Sequence, residues 1–118
     1  MKGRLTTHIL DTARGCPGAN IPITLWSANN GEKILIKTVR TNSDGRTDAP
    51  LLANEELVVQ VYELVFHVGE YFVEHFENLP RPIFLDQIPI CFAVADSNAH
   101  YHIPLLVSPW SYSIYRGS

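Results

Sequence analysis

The segment RLTTHILDT, residues 4–12, alternates Leu5, Thr7 and Ile9 with Thr6, His8 and Leu10. That is a period of two rich in β-branched residues, the pattern of a half-buried strand. The same signature recurs in ITLWSAN, KILIKTVRT, ELVVQVYELVFHV, IPICFAVAD, YHIPLLVS and SYSIY. NNGE joins the first two of these, and Asn30-Gly31 supplies the positive φ that a tight hairpin needs. In ELVVQVYELVFHV, Val59, Val61 and Val65 oppose Tyr62, Leu64 and Phe66, so both faces are apolar and the strand is expected to be covered on both sides. Only GEYFVEHFENL breaks the rhythm, placing Tyr71, Phe72, His75, Phe76 and Leu79 at helical spacings until Pro80 stops it. About seven or eight short strands, one short helix and no βαβ alternation predict an all-β sandwich of two four-stranded sheets.

With 118 residues, 46% hydrophobic and 18% charged, the chain reads as one globular domain, 1–118, large enough to bury a core without cross-links. Cys16 in a Gly/Pro loop and Cys91 in an apolar run are therefore expected as reduced thiols. A net charge of -3 with only 9 Lys and Arg offers no field for phosphates, so no nucleic-acid partner is expected. No apolar run reaches the ~18 residues that span a bilayer, and the start lacks a signal-peptide pattern. The expected setting is the cytoplasm, with no membrane partner, or the periplasm if a leader has been removed. Strands apolar on both faces point to self-association.

The polar residues set in or beside these strands are His8, Arg46, His67, His100, His102, Tyr115 and Arg116. A lone strand histidine is usually structural. His100 and His102, two apart in a strand, share a face, a spacing that a metal could use, but no third ligand is evident, so no metal or cofactor is expected. Arg46 follows an Asp44-Gly45 turn that projects it, and Asp44 and Asp48 read as turn-makers rather than catalytic acids. If SPWS is a four-residue loop, Val107 faces Tyr112. Counting outward then sets His102 opposite Gly117, with Tyr115 diagonal to it on the same face. A slip of one residue would turn Tyr115 to the other face.

At these residues, LTTHILDTARGCPG, TNSDGR, APLL, YELVFHVGEYF, FLDQIPICFAVAD and HYHIPLLVSPWSYSIYRGS, the chain resembles the transthyretin-related 5-hydroxyisourate hydrolases over essentially its whole length. The terminal Tyr-Arg-Gly-Ser is the most specific element, since the transthyretins, hormone-carrying sandwiches of similar fold, lack it. The resemblance implies a transthyretin-like β-sandwich and hydrolysis of 5-hydroxyisourate, a small polar heterocycle, to 2-oxo-4-hydroxy-4-carboxy-5-ureidoimidazoline in urate degradation. It implies His8, Arg46 and His102 as catalytic and substrate-binding residues, with Tyr115, Arg116, Gly117 and Ser118 completing the substrate site. It also implies a homotetramer, a dimer of dimers with active sites at the dimer–dimer interface. One departure is Ile114, where the family usually has threonine, with an expected effect on packing. The alternative is a transthyretin-like protein that binds a small ligand without turnover; a channel holding His8, Arg46, His102 and Arg116 suits a polar heterocycle better than an apolar hormone.

Overall fold

A computed structural model describes residues 2–117. Its strands are β1 (Arg4–Asp11), β2 (Cys16–Pro17), β3 (Pro22–Ser27), β4 (Ile34–Arg40), β5 (Leu52–Ala53), β6 (Gln60–His67), β7 (Gln87–Val94), β8 (His100–Val107) and β9 (Tyr112–Ile114), with one helix, α1 (Gly69–His75). One sheet runs β4-β3-β6-β7; the other runs β2-β1-β8-β9, with β5 also on β1. Because β2 and β5 are two-residue segments at opposite ends of the same edge of β1, the second sheet is also four rows wide. The predicted sandwich is the observed one, with one row split.

The alternation read in the sequence decides what goes inside. Leu5, Ile9, Leu25, Tyr62, Leu64, Phe66, Leu105 and Val107 are fully enclosed between the sheets, the burial that drives a fold of this kind. The β3–β4 hairpin turns through Asn29–Gly31, with Asn30 at φ 54 and Gly31 at φ 78, as the NNGE reading required. In β6 the inner face is buried, and on the outer face Glu63 and Val65 are covered while Val61 and the preceding Val59 are exposed at 37% and 62%. Expectation and structure differ there because none of the described residues lies over that end of the sheet.

The helix ends at His75, four residues before the leucine expected to close it. Phe76 leaves in extended backbone and Asn78 takes φ 62, yet the Phe76 ring stays against Phe72 with centroids 5.7 Å apart. Burying Phe76 and Leu79 on the core does not require the extra helical turn. Helix α1 is tied to the second sheet through Tyr71, whose hydroxyl donates to the buried Asp11 Oδ2 at 2.6 Å and accepts from Arg14 Nη1 at 3.1 Å. Burial, together with the Asp11 carboxylate, pushes the Tyr71 phenol far above its usual range. Cys16 and Cys91 are both free thiols, on different sheets. Among the described residues no helix is long and apolar enough to cross a membrane.

Candidate active site

The site lies on the outer face of the sheet formed by β1, β8 and β9. Leu5, Thr7, Ile9 and Asp11 of β1 point inward, which forces Arg4, Thr6, His8 and Leu10 outward. In β8 the inward set is Tyr101, Ile103, Leu105 and Val107, leaving His100 and His102 outward. The two strands are parallel neighbours, pairing Arg4 with His100, Thr6 with His102 and His8 with Pro104. Residues about a hundred positions apart in sequence are thereby set side by side. The Thr6 hydroxyl lies 2.8 Å from His100 Nε2 and 2.8 Å from His102 Nδ1.

Arg46 arrives on the other edge of β1, where it forms an isolated antiparallel bridge with His8. The turn before it holds it there. The Asn42 side chain accepts from the amides of Asp44 and Arg46, at 2.9 and 3.2 Å, and Gly45 has φ +74. The Gly45 carbonyl accepts from Ile9 N at 2.8 Å. A Cβ on Gly45 would collide with the Ile9 carbonyl, so glycine is needed both for the turn and for the approach to β1. Asp48 accepts from Asn42 Nδ2 at 3.0 Å, a support of the loop, in keeping with its reading as a turn-maker.

The last hairpin has the register counted from the sequence. Val107 pairs with Tyr112 and His102 with Gly117. The Gly117 amide donates to the His102 carbonyl at 2.7 Å, so positions 102, 104 and 106 are those whose amides face β9. Pro104 has no N–H to give, and regular pairing stops at Ile114, opposite Leu105. The chain therefore lifts at Tyr115 and Arg116, both exposed, and returns at Gly117. The counted register would set Tyr115 on the outer face with His102, but the chain has left the ladder there, and Tyr115 instead lines a hollow with the inward-facing Tyr101 and Ile103, as does Arg116. Its guanidinium stands 4.1 Å over the Tyr101 ring, the geometry of a cation–π contact. Ser118 lies outside the described residues. Gly117 itself presses on the histidine, since a Cβ there would be 2.8 Å from His102 Cδ2.

A pocket of about 460 Å³ opens on this face, lined by Thr6, Arg46, Thr47, Asp48, His100 and His102 together with Arg4. His8 stands beside it, next to Arg46. Tyr115 and Arg116 do not line it in the single chain. The histidines are half-buried, and each holds its proton less tightly than a free imidazole. For His8 the main cause is burial, then the Arg46 charge, partly opposed by Asp44. For His102 burial again leads, followed by Arg46, His100 and His8; for His100, burial and then Arg4. All three are neutral at neutral pH, able to accept a proton, beside a guanidinium that can hold negative charge. Among the described residues no group of three or more His, Cys, Asp or Glu is placed to hold a metal ion, and the His100–His102 pair is instead bridged by Thr6.

His8, Arg46, His102 and Gly117 are thus brought together. His67 lies on the other sheet, bonded to Thr24 at 3.2 Å. Thr6 and Arg4 are the additions. Their period-two spacing with His8 was a usable signal, but the partners of Thr6 depend on the β1–β8 pairing.

The sequence pattern of the HIUase/Transthyretin family matches residues 5–117. The 5-hydroxyisourate hydrolase of Ralstonia nicotianae is 59% identical over 98% of this chain and 99% of its own; 5-hydroxyisourate hydrolase 2 of Rhizobium meliloti is 51% identical over 98% and 97%. Among solved structures, (S)-allantoin synthase superposes with TM-score 0.93 at 42% identity, covering 99% of this chain and 44% of that one. The Klebsiella pneumoniae 5-hydroxyisourate hydrolase gives 0.77 at 30%, covering 98% and 99%. Sea bream transthyretin, solved with thyroxine, gives 0.85 at 23% over 97% and 94%, a likeness of fold alone. With its whole described sandwich matched and relatives above half identity across nearly its full length, the chain belongs to the HIUase/Transthyretin family.

Proposed function

We propose that this chain hydrolyses 5-hydroxyisourate at the outer face of the β1–β8 sheet. The chain is a hydrolase of its family; the substrate, the chemistry and the residues are our reading. The observation that carries it is the convergence of two neutral, proton-accepting histidines, His8 and His102, on one guanidinium, Arg46. Opening a cyclic amide with water needs a base for the water proton and a cation for the developing oxyanion. His8 and His102 position and activate the water, which adds to the ring carbonyl carbon C6. Arg46 stabilises the charge that builds on the carbonyl oxygen. The N1–C6 bond then breaks, N1 takes a proton, and C6 leaves as the carboxylate of 2-oxo-4-hydroxy-4-carboxy-5-ureidoimidazoline.

In the described tail Gly117 packs on His102 and Arg116 anchors the turn on Tyr101; on our reading Tyr115, Arg116 and Ser118 complete the substrate site only when subunits meet. The assembly we propose is a homotetramer, a dimer of dimers, with the sites where dimers meet. The exposed edge and face residues Tyr112, Ile114 and Tyr115 are the surface such packing would cover. The test is to generate 5-hydroxyisourate in situ from urate with urate oxidase and follow its ultraviolet absorbance. Chelator-treated protein should accelerate the loss well beyond spontaneous decay and leave urate untouched. Decay at the spontaneous rate, or activity that returns only with added zinc, contradicts the reading; tight binding without turnover would favour a carrier.

A further inference from the structure

The Thr6 hydroxyl is within hydrogen-bond distance of two imidazoles, His100 Nε2 and His102 Nδ1, each at 2.8 Å. A hydroxyl has one hydrogen to donate and two lone pairs. It cannot donate to both rings at once. If its hydrogen goes to His102, that ring must carry its own proton on Nε2; if it goes to His100, His102 is free to donate from Nδ1 and keep a lone pair on Nε2. The tautomers of the two histidines are therefore coupled through one oxygen.

The surroundings choose between the arrangements. Thr6 occupies Nδ1 of His102, so Nε2 is the nitrogen left to the pocket that Arg46 also lines. A positive guanidinium there favours a lone pair over an N–H dipole, by simple charge–dipole attraction. Arg4, the ladder partner of His100, pulls the opposite way on that ring's free Nδ1, but His100 is the less buried of the two, so water screens that pull more than the one Arg46 exerts on His102. We propose that Thr6 and His100 are positioning residues that fix the tautomer of His102: His102 Nδ1–H donates to Thr6, Thr6 donates to His100 Nε2, and His102 Nε2 is left to take the proton of the attacking water. The catalytic meaning of this tautomer rests on the hydrolase reading above; the tautomer itself does not.

The sequence alone separates these residues by nearly the whole chain. What joins them is the parallel pairing of β1 and β8, which puts Thr6 opposite His102 while the strand period returns His100 to the same face, with ring centroids 6.1 Å apart. A threonine that only filled space would be replaceable by valine at no cost to the ring. One that sets a tautomer is not, because valine leaves Nδ1 without a partner.

The experiment is nitrogen-15 correlation spectroscopy of histidine-labelled protein without substrate, at about pH 8, above the ordinary imidazole range near ~6.5. Steady-state kinetics on the same samples accompany it. The parent is expected to show pyrrole-type Nδ1 and pyridine-type Nε2 at His102. Thr6→Val removes the acceptor and His100→Phe leaves the Thr6 hydrogen with His102 as its protein partner, so both should shift His102 towards the other tautomer. In each, kcat should fall about 10- to 100-fold, the range for losing the outer partner of a functional imidazole, with KM little changed. Thr6→Ser should restore both readouts. A parent with Nε2 protonated, or an unchanged tautomer in both variants, overturns the proposal. A shifted tautomer with undiminished kcat overturns its catalytic half. A parent with no hydrolase activity overturns the reading above, while the spectrum still decides the tautomer.

Discussion

The two sheets use the same device on their outer faces and put it to different ends. On the β3–β6 side Thr24 bonds His67 at 3.2 Å and accepts from Trp26 Nε1 at 3.0 Å. An indole can only donate, so Thr24 accepts there, and its remaining bond to His67 couples no second imidazole. Nearby, Glu63 is paired with Lys33 at 2.7 Å and accepts from Cys91 at 3.3 Å. On the β1–β8 side Thr6 has two partners of either polarity, no carboxylate among the described residues is paired to them, and the side-chain cations acting on those rings are Arg4 and Arg46. A face whose polar groups close on each other is structural; a face whose histidines are kept neutral by burial, and then by neighbouring cations, has proton-accepting capacity to spend on a ligand.

The contrast is broken most severely at Arg46. Arg46→Ala should lower kcat/KM by about 10²–10³-fold, the scale for removing a stabiliser of developing charge. It should also raise the pKa of both His8 and His102, whose protons that charge disfavours. The acid limb of the rate profile, below ~6.5 in the parent, should move up toward that ordinary imidazole value. Stability follows the same sign. The folded histidines bind fewer protons than the unfolded ones between their lowered pKa values and ~6.5, so stability is complete above ~6.5 and lost as pH falls through the folded values. Denaturation at stepped pH checks it.

Gly117→Ala comes next. The new methyl would sit 2.8 Å from His102 Cδ2 and must push the ring off Thr6. A displacement near an ångström costs up to about 10²-fold in turnover, with the melting temperature unchanged. Deleting residues 116–118 should cost at least about tenfold with the fold retained, because terminal residues contribute little to a core. Circular dichroism, gel filtration and the absorbance assay compare the two tails. The smallest expected effect on activity is at Tyr71→Phe, remote from the pocket. It leaves the buried Asp11 short of a donor and should cost about 1–3 kcal/mol of stability in a denaturant titration, with kcat unaltered.

What could be read without coordinates divides along physical lines. Alternation is local, so the strands, the inward faces and the Asn30-Gly31 hairpin were legible. So was the register of the last hairpin, because loop length fixes it, and with it the meeting of His102 and Gly117. The helix was over-extended because aromatic spacing at Phe76 and Leu79 records burial, which an extended segment meets equally well. The β1–β8 pairing is parallel and joins segments nearly a chain length apart; no turn chemistry encodes it. Thr6 and Arg4 were missed for that reason. His8, Arg46, Tyr115 and Arg116 stood out as polar residues in or beside strands, their roles came from family resemblance, and only the ladder explains why Arg46 stands against His8.

The most direct test of the account exchanges equivalent losses between the two faces. Initial rates of 5-hydroxyisourate decay are measured for the parent, His8→Asn, His102→Asn and His67→Asn, each verified as folded. Removing a general acid or base on the β1–β8 face should lower the rate by about 10²–10⁴-fold, and His67→Asn on the other sheet should leave it near the parent. Equal rates for His102→Asn and the parent, or a loss at His67 as large as at His102, would contradict the assignment of the reactive face.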